Sequence, residues 1–117
     1  MLIGGGLIAS AFRSRYADDP RITIYCAGVS NSLEADHREF MREESLLASE
    51  LEKSRGRSRF VYFGTCSAAA PPALHTPYIR HKLAMEARIR EHPDHVIFRL
   101  PQVAGFSPNP HTLLNHL

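Results

Sequence analysis

Two residues able to share a proton, Tyr78 and Lys82, stand four positions apart in the stretch TPYIRHKLAMEARI. The chain has two lysines, Lys53 and Lys82, so this spacing uses a scarce residue. One turn of helix places both side chains on one face, where the ammonium can favour the ionised phenol. The first turn of a helix adds a small push in the same direction from the peptide dipoles. Such a couple suits general acid/base work at an alcohol or carbonyl. The competing reading is an ordinary helix surface, and the neighbouring segments must decide between them.

Two other stretches carry groups that could share a site with this pair. In IGGGLIASAF, Gly4, Gly6 and Ala9 form G-x-G-x-x-A between a short apolar run and a helix-like segment. Glycine there permits a tight turn and close backbone approach to a pyrophosphate, which the N–H groups of a helix N-terminus can bind. The alternative is a plain glycine-rich turn. In RFVYFGTCSAA, an apolar run ends in Thr65, Cys66 and Ser67. A hydroxyl at that end could polarise a substrate oxygen, whereas isolated Ser and Thr more often bond local backbone.

The elements that must position these groups follow from local pattern. MLI reads as a clipped strand and LIASAFRSRYA as a helix ending near Asp18, Asp19 and Pro20. RITIYCAG, SRFVYFG and HVIFRL are β-branched and apolar, as buried parallel strands are. DHREFMREESLLASELEKSRG sets Phe40, Leu47 and Leu51 on one helical stripe, with Asp36 and Glu39 resembling a capping box and Gly56 as a stop. Thr76 is the expected N-cap, and Pro77 the first residue, of a helix running until Pro93. Asn109 and Pro110 open a last apolar segment, HTLLNHL. Strand and helix alternate, which with right-handed crossovers predicts a parallel sheet covered on both faces, with ligands at the carboxyl ends of its strands.

Composition sets the outer bounds. A chain of 117 residues supports one domain with one core. The net charge of +2 is mild and the arginines are dispersed, so nucleic acid is not implied. No apolar run approaches the roughly 18 residues of a membrane span. Cys26 and Cys66 read as two free thiols, no secretory signal pattern opens the chain, and cytoplasm is the default location. His37, His92 and His95 read as solvated ends of elements, and REFMREE as a solvated helix face. His81 points away from Lys82 and receives no catalytic role. His111 and His116 lack partners at metal spacing, and no metal is expected.

The order of glycine turn, buried strand ending in Thr/Ser and Y-x-x-x-K resembles the short-chain dehydrogenase/reductase superfamily. The likeness is greatest to its extended branch of NAD-dependent sugar-nucleotide epimerases and dehydratases. IYCAGVSNS is similar to that branch's fourth strand, FGTCS to its Ser/Thr strand end, and FRLPQVAG to its R-L-P-x-V-x-G segment. The matches extend from Ile3 to about Gly105. The resemblance implies Tyr78 as general acid/base, Lys82 as the group that lowers its pKa and binds the nicotinamide ribose, and Thr65 as the hydroxyl orienting substrate, with Ser67 as substitute. It implies Gly4, Gly6 and Ala9 facing the pyrophosphate of NAD or NADP, and Ala27, Gly28 and Pro101 lining the cofactor groove. Its substrate would be a nucleotide-linked sugar or similar alcohol. Helices 36–55 and 77–92 would pair with a second copy as a homodimer.

The pattern departs from that family in two places. Only SRYADDP stands where two further strands and their helices belong. The expected fold is therefore α/β, a Rossmann-like parallel sheet of about four strands with helices on both faces, lacking the usual second and third strands. Asp18 and Asp19 come too soon after the glycines to match the ribose-binding acid about 20 residues on, and are not assigned to it. Residues 105–117 read as the start of a truncated or partner-completed substrate region. Two other function classes remain: a non-catalytic Rossmann-like binding or dimerisation module, and a hydrolase using Gly64-Thr65-Cys66-Ser67-Ala68 as a nucleophile elbow. The elbow is weakened by AAAPPALHTP, which delays the next helix.

Overall fold

The computed structural model describes residues 1–28 and 35–101, which include each expected strand and three helices. In chain order these are β1 (Leu2–Ile3), α1 (Leu7–Tyr16), β2 (Ile22–Tyr25), α2 (His37–Ser54), β3 (Arg59–Thr65), α3 (Pro77–Ile89) and β4 (His95–Leu100). Two 3₁₀ turns, Cys66–Ala69 and Pro72–Leu74, bridge β3 and α3. The expected segment opened by Asn109 and Pro110 lies outside the described residues.

Local chemistry fixes the helix ends. Asp36 accepts from the Arg38 N–H at 2.9 Å and caps α2, while Glu39 turns to Arg42 at 3.2 Å instead of closing a capping box. Gly56, at φ 72°, takes the left-handed conformation just past the end of α2. Thr76 Oγ1 accepts from Ile79 N–H at 3.2 Å with Pro77 following, as expected for the start of α3. That helix ends at Ile89, short of Pro93, because the chain turns back through Arg90 and His92.

The sheet is all parallel, in the order β1-β2-β3-β4. Side chains alternate between its faces. Tyr25 pairs with Tyr62 and Tyr62 with Ile97, and with Phe60 they meet Leu47 of α2 and Met85 and Ile89 of α3 in the main core. The opposite face carries Phe63, stacked at 5.9 Å on Phe12 of α1 and at 6.0 Å on Phe98 of β4. Thus α1 covers one face, and α2 and α3 the other.

This division has a topological consequence. All three crossovers step the same way across the sheet, yet α1 lies on the opposite face from α2 and α3, so its connection has the opposite hand. Right-handed crossovers account for about 98% of such units, which makes the β1-α1-β2 connection the exception. In a doubly wound sheet, helices change face where the strand order reverses. Here the face changes and the order runs on, the geometry left when the second and third strands of such a sheet are absent.

Candidate active site

The change of face between α1 and α2 falls between β1 and β2, whose carboxyl ends carry the glycine turn and Cys26–Gly28. Gly4 has φ 112°, and a Cβ on it would come within 2.8 Å of the Cys26 carbonyl carbon and oxygen and 2.9 Å of Ala27 N. Only glycine lets the two strand ends approach so closely. A Cβ on Gly5 or Gly6 would meet nothing within 4 Å. Gly6 caps α1 without a side-chain partner for the helix's first N–H groups, so the turn offers both space and donors. Ala9 is fully buried in the first turn of α1.

The next link is Gly28. A Cβ there would stand 2.7 Å from both Lys82 Nζ and Glu43 Oε2. The glycine turn, the end of β2 and the lysine of α3 are therefore in consecutive contact. Lys82 is 4% exposed, a low value for a lysine, and is held by three groups. It donates to Tyr62 Oη at 3.3 Å, lies 3.6 Å from Glu43 Oε2, and sits 5.7 Å from the centre of the Tyr78 ring. Burial lowers its pKa while Glu43 opposes that shift.

Tyr78 is buried in the first turn of α3, beside Ile79, Phe40 and Leu83. Burial first, and the Glu43 charge second, push its phenol up to about 12. This is opposite to the direction expected from the nearby ammonium. The desolvation of an ionised phenol and a nearby carboxylate outweigh Lys82, whose charge is shared with Glu43.

Glu43 is the residue that sequence reasoning missed. It belongs to the charge-rich stretch expected as a solvated face, yet it is completely buried and joins α2 to α3 and β3. Its Oε1 bonds His81 Nε2 at 2.7 Å, and its Oε2 accepts from Tyr62 Oη at 3.1 Å. His81, set aside from the sequence, is 9% exposed and stacked on Phe40 at 4.4 Å. A signal was present: position 43 lies three residues after Phe40 and four before Leu47, on the apolar stripe of α2. His92 is likewise buried, against the expectation of a solvated helix end, with Nε2 at 3.2 Å from Ser54 Oγ and Nδ1 accepting from Asp94 N–H.

The remaining assigned residues have more local roles. Thr65 is buried at the carboxyl end of β3, where its Oγ1 accepts from Ser67 N–H at 3.2 Å and caps the first 3₁₀ turn. Cys66 is exposed and donates its Sγ–H to Arg99 O at 3.2 Å. It opens a 3₁₀ turn, which is not the strand-to-α-helix elbow of a hydrolase. Cys26 and Cys66 are both free thiols, as expected. Pro101 is exposed immediately after β4.

The residues fit one end of a dinucleotide better than the other. The open space at Gly5 and Gly6, the α1 N-terminus and Lys82 beneath Gly28 suit a pyrophosphate and its adjoining ribose. At the adenosine end, Asp19 turns back on Arg21, binding its N–H, Nε and Nη2, and is held at about 2 by those bonds. No protein-family model, curated protein or solved structure matches the chain. No helix among the described residues is long and apolar enough to cross a membrane.

Proposed function

We propose that this chain is an NAD(P)-dependent oxidoreductase or epimerase of the short-chain dehydrogenase/reductase type, acting on a nucleotide-linked sugar or a similar alcohol. The observation that carries this reading is the run of contacts from Gly4 through Cys26 and Ala27, then Gly28, to Lys82. It joins a phosphate-binding type of turn to the helix bearing Tyr78, at the carboxyl ends of parallel strands, where such sheets bind ligands.

In this reading Gly4, Gly6 and the first turn of α1 cradle the pyrophosphate, and Ala9 keeps that helix close to the sheet. Ala27, Gly28 and Pro101 line the groove, and Lys82 holds the nicotinamide ribose. The bound cofactor supplies hydride exchange with a substrate carbon. Thr65, accepting from Ser67 N–H, keeps its own proton to donate to the substrate oxygen. A phenol near 12 is protonated at neutral pH, so Tyr78 serves first as a general acid, giving its proton to the oxygen of a carbonyl being reduced.

Titration of the purified chain with NADH and NADPH, read by fluorescence and thermal shift, tests the proposal. Binding of one of them is expected, and a response to neither sinks it. The second reading, a non-catalytic binding or dimerisation module, draws support from Lys82 being already engaged by Glu43 and Tyr62. Turnover that disappears in Tyr78→Phe while the fold persists removes that alternative.

A further inference from the structure

We propose that Glu43 and His81 form a buried proton relay joining the Lys82 amine, beneath Gly28, to the groove between α2 and α3. The use of the proton rests on the oxidoreductase reading; the relay itself does not. An inert ion pair would need only one counter-charge for Lys82. Glu43 has a second partner of another kind, an imidazole at 2.7 Å. Imidazole has two nitrogens and changes charge near neutral pH, which suits it to carry a proton from one side of its ring to the other.

The geometry is continuous. Lys82 Nζ lies 3.3 Å from Tyr62 Oη, which donates to Glu43 Oε2 at 3.1 Å, and Glu43 Oε1 meets His81 Nε2. The His81 ring then borders a groove of about 390 Å³, shared with His37, Phe40, Met41, Glu44 and Arg80. Other groups acting on this set are Tyr78 on α3 and Tyr25 on β2, both under the influence of Glu43, with Arg42 and Glu50 of α2 acting on Tyr25 and Glu86 of α3 acting on Lys82. Gly28 closes the far side over Lys82. The path therefore runs from the buried amine beneath Gly28 to the groove.

The proton balance closes without any redox partner. A carboxylate needs a donor, so His81 presents Nε2–H to Glu43 at rest. When Lys82 has lost a proton, His81 Nδ1 takes one from groove water and Nε2 passes its own to Glu43 Oε1. A half-turn of the carboxyl brings that proton to Tyr62, whose hydroxyl accepts it while releasing its own to the lysine amine. Lys82 is again an ammonium and Glu43 a carboxylate, while His81 is left as its Nδ1–H tautomer and the groove water as hydroxide. The reverse sequence carries a proton out, neutralises the hydroxide and restores Nε2–H against Glu43.

The scarcity of lysine makes this measurable in the ligand-free chain. With lysine isotopically labelled, NMR should show two side-chain signals, assigned through Lys53→Arg. His81→Gln keeps an N–H for Glu43 but cannot carry a proton, so exchange of the Lys82 ammonium protons with water should slow by about tenfold or more. Glu43→Gln removes the charge that supports the ammonium, so the Lys82 titration midpoint should fall by about one pH unit or more. An unchanged rate in a folded His81→Gln chain overturns the relay. A chain that passes these tests but binds neither NADH nor NADPH keeps the relay and loses the oxidoreductase reading.

Discussion

Gly28 leaves room for Lys82: a methyl group on its Cα would stand 2.7 Å from the lysine nitrogen, and equally close to Glu43 Oε2. The backbone of the β2 end thus roofs the buried charge cluster, and the fit between them is tighter than any Cβ tolerates.

Gly28→Ala should therefore destabilise the chain by about 1–3 kcal/mol, the usual cost of forcing atoms into a packed site. Gly5→Ala, with nothing near its Cβ and no positive φ, should stay within about 0.5 kcal/mol of the parent. Urea unfolding of the two variants checks this. Equal midpoints would mean that the β2 end does not press on Lys82.

Glu43 should be the most costly single truncation on α2. In Glu43→Ala, Lys82 loses its counter-charge and His81 and Tyr62 lose their acceptor in a buried site, a loss of about 3–5 kcal/mol. Glu44→Ala, one residue on, removes only a half-exposed partner of Arg88 and should cost about 1 kcal/mol or less. Chemical denaturation of both, with the slope held constant, provides the comparison.

The sequence makes the architecture legible because each element carries its own signal. β-branched runs give β2 and β3, the Thr76-Pro77 cap gives the start of α3, and the short SRYADDP gap shows where strands are missing. The opposite hand of the α1 crossover was not legible, since hand depends on which face a helix covers and no local pattern encodes that. The four-residue spacing is enough to bring Lys82 near the Tyr78 ring, but not to give the direction of the tyrosine's shift. That direction depends on Glu43, thirty-five positions earlier, whose charge type hides its place on the apolar stripe. His92 was misread for a similar reason: a residue beside a helix end looks solvated until Ser54 and the Asp94 backbone close around it.

The two thiols should differ in reactivity. Cys66 is exposed, whereas burial pushes Cys26 up to about 11 from an ordinary 9. At neutral pH the thiolate fraction of Cys26 is then about 100-fold below that of an unperturbed thiol. Brief treatment with iodoacetamide should label Cys66 and spare Cys26, as read by peptide mass spectrometry. Equal labelling would contradict the burial of the β2 end.

Alkaline pH should expose the same cluster through its phenols. Tyr78 titrates near 12 in the folded chain, and burial raises Tyr25 and Tyr62 as well. A group whose folded pKa is raised binds its proton more tightly in the native state. Its contribution is complete below the ordinary tyrosine value of about 10 and is lost as pH climbs toward the folded value. Lys82 acts in the opposite sense: with its folded pKa lowered, the native state binds fewer protons than the unfolded one, so its contribution grows with pH across that gap. Three phenols against one amine give a net loss between about pH 10 and 12. Near-ultraviolet tyrosinate absorbance should show Tyr25, Tyr62 and Tyr78 ionising together with the collapse of helical circular dichroism. Gradual ionisation of all four tyrosines near pH 10, with the helical signal intact, would mean that the phenols are not buried around Glu43 and that the cluster beneath Gly28 does not exist.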